Sequence, residues 1–344
     1  MSDALASICI LRLSAIGDVC HAATLVERIQ RHWPETKITW VIGKIEYQLV
    51  GDMAGIEFIV FDKKLGLGAY KKLRQDIGTR PFDALLLMQV AFRANLAAAC
   101  INAKQKIGFD WARSKELHWL FTNSRIAPRS QAHVLDGFMD FADALGVPPV
   151  AKPAWHIPIP SEAELWAKQQ AEALSDFVVI SPAASKAERN WTAAGYAWIA
   201  DYLSSKGKQV VLCGGPGSLD REMGNAITAL TSNVRTNFIG KTNLKQLLAL
   251  LKQAQLVIAP DTGPAHMATT VGTDVIGLYA HSNPRRTGPY NGLDRVVSVY
   301  DQAIAQQQTK NWQQLPWGIR AKGNELMELI SQDDVKAALD NWLG

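Results

Sequence analysis

Short, continuous apolar runs alternate with longer amphipathic ones along almost the whole of this 344-residue chain. In the first half the runs are SICILRL, KITWVIG, EFIVF, DALLLMQ and QKIGF; in the second they are DFVVISP, KQVVLCGG, TNFIGK, AQLVIAP, DVIGLYA and RVVSV. Runs of this length between helical stretches predict parallel strands with crossover helices. Their hydrophobicity is unbroken where a half-exposed strand would alternate, which fits strands covered by helices on both faces. The expected fold class is therefore α/β, with doubly wound parallel sheets.

Between the two sets of runs lies LGVPPVAKPAWHIPIPSEAEL, with five prolines from Pro148 to Pro160. Proline fixes φ and removes a backbone donor, so this segment reads as an extended connector. The chain also exceeds the length at which one core usually keeps growing. The division expected is 1–150 and 163–322 as two Rossmann-like domains, with 151–162 as linker. Two such domains form a cleft between the carboxyl ends of their sheets, where ligands of open α/β sheets bind. The tail 323–344 places Leu326, Leu329, Ile330, Val335, Leu339 and Leu343 at helical spacing. Its sequence leaves open whether it packs as a plain terminal helix or crosses back to the first domain.

Charge changes this picture locally. The formal net charge is only +4, yet residues 60–130 hold thirteen Lys and Arg against five acids. Such a surplus suits an anionic partner or an anionic membrane surface, although any single lysine in it is more simply a solvated side chain. Cys9, Cys20, Cys100 and Cys213 are far apart and mostly in apolar runs, so reduced, buried thiols are expected in place of a disulfide framework or zinc site. No apolar run approaches the roughly 18 residues of a membrane span, and the first residues lack the pattern of a secretory signal. A cytoplasmic protein with no transmembrane segment is expected.

Four stretches carry candidate chemistry. In LRLSAIGDVCHA, Gly17 permits a tight turn after the first strand and Asp18 falls at or near the start of the next helix. A carboxylate there is an ordinary helix cap, or a general base if a bound hydroxyl reaches it. In VVISPAASKAERNWT, the small residues from Ser181 onward admit a ligand close to the backbone, and Lys186 and Arg189 precede a plausible helix cap at Thr192. Gly214 and Gly215, in VVLCGGPG, make a strand-to-helix turn that does not fit G-x-G-x-x-G. In VIAPDTGPAHMA, Asp261, Thr262 and Gly263 open a helix whose free N–H groups favour a diphosphate, with His266 one turn on. The G-K-T of FIGKTN lacks the first glycine of a Walker A loop, that position being Arg235. There is no D-x-D, H-E-x-x-H or G-x-S-x-G.

Taken in order, LRLSAIGDVCHA, SKAERNW, GGPGSLDRE and DTGPAHMA followed by IGLYAHSNPRRTGPY resemble glycosyltransferase family 9, whose best known members are ADP-heptose:lipopolysaccharide heptosyltransferases. The resemblance covers most of the chain. It implies a GT-B architecture, with acceptor on the first domain and sugar nucleotide on the second. Asp18 falls on the family's general base, with Gly17 beside it on the acceptor side. Arg189 falls where the heptosyltransferases usually carry lysine, which leaves open whether Lys186 shares the role. Ser181, Gly214, Gly215, Asp261, Thr262, Gly263 and His266 fall on the nucleotide-sugar side; His266 either bonds the phosphate or braces the helix. GFDWARSKELHWLF resembles the acceptor-side stretch, giving Arg113 and Lys115 as candidates. The implied reaction is inverting, with an ADP-heptose donor, no metal or other cofactor and no nucleic acid. Its acceptor is an anionic lipid-linked core at the inner face of the cytoplasmic membrane. Rival readings are a GT-B enzyme using another nucleotide sugar, a non-catalytic anionic-lipid-binding protein, and an NAD-dependent dehydrogenase, which the broken glycine fingerprint disfavours.

Overall fold

The computed structural model describes residues 4–344, which divide into two compact units between Pro158 and Ile159. The first holds six strands: β1 (Ser7–Leu11), β2 (Lys37–Gly43), β3 (Ile56–Phe61), β4 (Phe82–Leu87), β5 (Ala103–Gly108) and β6 (Ser124–Arg125). They lie in the order β3-β2-β1-β4-β5-β6, all parallel. The second holds β7 (Phe177–Ile180), β8 (Gln209–Leu212), β9 (Val234–Asn237), β10 (Leu256–Pro260), β11 (Asp274–Tyr279) and β12 (Val297–Ser298). Their order, β9-β8-β7-β10-β11-β12, repeats that of the first sheet. Each is the doubly wound order in which the chain reverses direction beside its first strand.

The central strands are buried on both faces. Ile8 to Leu11 of β1 and Val178 to Ile180 of β7 have no exposed surface, which accounts for their unbroken apolar sequence. Ile10 lies between Trp40 and Leu86, and Ile258 between Ile180 and Ile276. All four cysteines are free thiols, three of them buried.

Three details depart from the sequence reading. Only Thr236 and Asn237 of TNFIGK belong to a strand; Ile239 N–H then bonds Asn237 Oδ1 and the chain leaves the sheet through Gly240 at φ +71°. The two-residue β6 carries no apolar run to mark it. The terminal helix starts only at Gln332, because Ser331 and Asp334 form reciprocal capping bonds (Oγ to Asp334 N–H 3.1 Å, Ser331 N–H to Oδ2 3.3 Å). That helix packs within the second unit: Val335 and Leu339 join its core and Trp342 Nε1 donates to Asp274.

The proline-rich connector has no regular element between Gly146 and Pro160. Trp155 Nε1 donates to Cys20 O at 2.9 Å, fastening it to the first unit. A buried arginine does the same at its start. Arg28, 4% exposed, donates to the carbonyls of Pro148 (2.9 Å), Met139 (3.1 Å) and Val147 and pairs with Asp143. It thereby joins helix 16–32 to helix 134–145. Truncation would deprive three carbonyls of this buried donor, so Arg28→Ala is expected to destabilise the first unit by about 3 kcal/mol. Urea unfolding followed by circular dichroism measures this, and an unchanged midpoint would show the network to be idle.

Candidate functional site

In a sheet of this order the loops at the carboxyl ends of the two central strands face a common crevice. In the first unit these are the loops after β1 and β4. The chain after β1 is held tightly: Leu13 N–H donates to Gln89 Oε1 (2.8 Å), and Gly43 N–H donates to Leu13 O (3.0 Å). A Cβ on Gly43 would stand 2.3 Å from that carbonyl, so only glycine fits. Helix 16–32 then begins, with Gly17 buried in its first turn.

Asp18 is the third residue of this helix, not its cap, and its side chain is 31% exposed. Its Oδ2 accepts the Ala15 N–H (3.2 Å) and also takes the Arg12 guanidinium in an ion pair. Oδ1 has no hydrogen-bond partner among the described residues. Arg12 is itself fixed by Met88 O and by the Phe138 ring, whose centroid is 5.1 Å away. The carboxylate is thus oriented through one oxygen and open at the other. His21, one turn on, is buried edge-to-face against His133.

The two acceptor-side candidates separate. Arg113 is consumed internally: its Nε bonds Asp110, its Nη2 bonds Ala127 O (3.2 Å) and lies 3.6 Å from Asp140, and it packs over Phe109. Lys115 is exposed and makes no ion pair among the described residues.

The second unit brings its candidates together at the carboxyl ends of β7, β10 and β11. Asn190 Oδ1 accepts the Ala184 N–H (2.6 Å), closing the loop after β7. This leaves Arg189 only 15% exposed and 3.9 Å from Asp261, while Lys186 is 58% exposed beside Glu188. Thr192 caps the next helix through the Gly195 N–H (3.0 Å). After β10, Asp261 Oδ2 accepts the Ser282 hydroxyl at 2.7 Å, and Oδ1 lies 3.9 Å from His266 Nε2. Burial opposes ionisation of Asp261, but His266, Ser282 and Arg189 outweigh it and hold the carboxyl below its ordinary range. Asp261 therefore anchors Arg189 and Ser282; an ionised carboxylate would itself repel phosphate.

Helix 263–270 starts at Gly263 with Pro264 in its first turn, and its cap Thr262 makes no side-chain capping bond. Its first N–H groups have no partner within the helix. Ser181 Oγ, Asn190 Nδ2, Thr262 Oγ1 and His281 Nε2 are buried with no partner among the described residues. Buried groups left so cost about 1–3 kcal/mol each, which marks this corner as a place for a polar ligand or water. The glycine turn is different. Gly215 N–H is already given to Asp220 Oδ1 (2.8 Å), and a Cβ on Gly214 would stand 2.8 Å from the same oxygen. Among the described residues no cluster of three or more His, Cys, Asp or Glu is disposed to hold a metal, and no helix is long and apolar enough to cross a membrane.

Sequence reasoning missed Arg12, Gln89, Asn190, Ser282 and His281. Arg12, Asn190, His281 and Ser282 lie as polar residues within motifs already singled out, whereas Gln89 acts on a partner 76 residues away.

Comparison with known proteins gives these sites a context. Residues 70–316 match the glycosyltransferase family 9 (heptosyltransferase) model. The chain is 46% identical over 334 residues to the lipopolysaccharide core heptosyltransferase OpsX of Haemophilus influenzae, covering 97% of this chain and 96% of that one. In structure it resembles a family 9 glycosyltransferase of Veillonella parvula (TM-score 0.81, 22% identity, 98% and 97% of the chains). It also resembles Escherichia coli heptosyltransferase WaaC with ADP (TM-score 0.75, 19% identity, 98% and 99%). These two likenesses speak to the fold, which is α/β of the GT-B type. The family model and the full-length relative go further: the chain belongs to glycosyltransferase family 9 and is a heptosyltransferase-class enzyme.

Proposed function

We propose that the chain transfers heptose from ADP-heptose to the inner core of lipopolysaccharide, either Kdo-lipid A or an already heptosylated core, with inversion and without a metal. Full-length similarity to a lipopolysaccharide core heptosyltransferase supports the acceptor class. The observation that carries the mechanism is the Asp18 carboxylate, fixed through Oδ2 and open at Oδ1.

In this reading Oδ1 takes the proton of the acceptor hydroxyl as its oxygen attacks the anomeric carbon, and ADP departs from the opposite face. Arg12 is a positioning residue that keeps Oδ2 engaged. Charge developing on the leaving diphosphate meets Arg189, the Thr262 hydroxyl and the N–H groups of the first turn after Asp261. These cations and dipoles take the place of a metal. Lys115 meets the anionic acceptor. The enzyme works in the cytoplasm at the inner membrane face, where such an acceptor is presented.

Asp18→Asn is expected to lower transfer by at least about 10²–10⁴-fold while ADP affinity, read by calorimetry, stays unchanged; near-normal turnover would remove Asp18 from the role of base. Arg12→Ala should lower kcat far more than it changes KM, with partial recovery in Arg12→Lys. Equal losses in both constants would mean that Arg12 serves binding. Arg189→Ala should weaken ADP about 10–100-fold, and Lys186→Ala much less, since Lys186 is solvated. Thermal stabilisation by ADP exceeding that by UDP and GDP checks the donor class.

A further inference from the structure

The first unit displays an apolar surface that neither its core nor the proposed transfer chemistry uses. Trp111 (65% exposed), Leu117, Trp119 and Leu120 (58%) stand out of one short stretch of chain, and Phe92 is exposed beside it. The Trp111 and Trp119 rings lie 6.2 Å apart, with the Arg125 guanidinium 4.0 Å over Trp111. Large apolar side chains are rarely grouped so densely on the surface of a protein without a partner for them.

The display is held rigidly. Asn95, fully buried, donates to Glu116 O (2.7 Å) and its Oδ1 lies 3.0 Å from His118 Nδ1. His118 Nε2 accepts the Phe109 N–H at 3.1 Å, and burial, with help from Arg125, pushes the imidazole pKa down to about 4. The ring is therefore neutral, with Nδ1–H given to Asn95. The Glu116 carboxylate is turned back onto the Phe92 N–H. Glu116 and Leu117 both adopt left-handed φ (54° and 59°), an arrangement that costs energy for residues with a Cβ and persists here under these bonds.

Charge identifies the occupant. Arg93 and Lys115, on the same surface, are exposed and form no ion pair among the described residues, and Lys63 and Lys64 lie in the same basic region of the chain. Aromatic side chains with flanking Lys and Arg match the headgroup layer of an anionic bilayer: tryptophan favours the interface, and basic residues near it are drawn to the anionic surface. We infer that Phe92, Trp111, Leu117, Trp119 and Leu120 form the surface through which this unit seats on an anionic lipid membrane. The inference rests on the lipid-linked acceptor proposed above and adds where the protein meets the lipid.

Flotation with vesicles tests it. The full chain should float with vesicles of phosphatidylglycerol and phosphatidylcholine but not with phosphatidylcholine alone. A Trp119→Ser/Leu120→Ser variant should lose about tenfold or more of that partitioning, and Phe92→Ser a smaller part, while transfer to a deacylated, water-soluble acceptor is unchanged. Partitioning that survives in both variants, or is absent from the full chain, overturns the proposal. So does a concentration-dependent dimer in sedimentation that disappears in the double variant, which would make a second copy the occupant. Transfer failing in the unaltered chain while flotation holds would instead defeat the reading of function.

Discussion

The constraint on which the rest depends is the burial of parallel strands on both faces. With Ile8 to Leu11 and Val178 to Ile180 sealed from solvent, no residue of these central strands is available for chemistry, and every polar group that acts must come from the loops at the carboxyl ends. The repeated strand order sets two such corners, one in each unit. Each corner is then completed by a residue delivered from a neighbouring strand: Gln89 after β4 in the first, Ser282 after β11 in the second.

The two corners solve opposite electrostatic problems. In the proposed mechanism Asp18 must be open to the acceptor hydroxyl, and its carboxylate is engaged on one oxygen only. Asp261, beside the proposed diphosphate site, is enclosed by Ser282, His266 and Arg189. The same residue type is thus open at one oxygen in the first unit, where the proposal makes it the base, and enclosed beside Arg189 in the second. The sequences around them, G-D and D-T-G, do not state this difference. It follows from what the sheets place beside each.

The fold was legible because a short, unbroken apolar run flanked by helical stretches suits a strand covered on both faces and little else. The runs mark nearly all of the strands; β6 escaped because two residues leave no periodic trace, and TNFIGK overruns β9 because its apolar Phe238 and Ile239 belong to the glycine turn after that strand. Asp18, Arg189 and Asp261 were legible as types in motifs, but their partners were not, because Arg12 acts across a turn and Gln89 across the sheet. Charge counting was least reliable residue by residue. Arg113, Lys104, Lys72 and Arg80 all contribute to the basic surplus of the first half, yet each is paired with a carboxylate. Pairing, which a charge count does not show, separates them from Lys115 and Arg93, which form no ion pair among the described residues.

The neutral His118 bears on the membrane seat inferred above. Protons accumulate at an anionic lipid surface, where a potential of some tens of millivolts lowers the local pH by about half a unit to one unit. A solvated imidazole would gain a good part of a charge there and push against Arg125. With its pKa at about 4, His118 would stay uncharged across that drop, so on the proposed seat its bonds to Asn95 and the Phe109 N–H would persist.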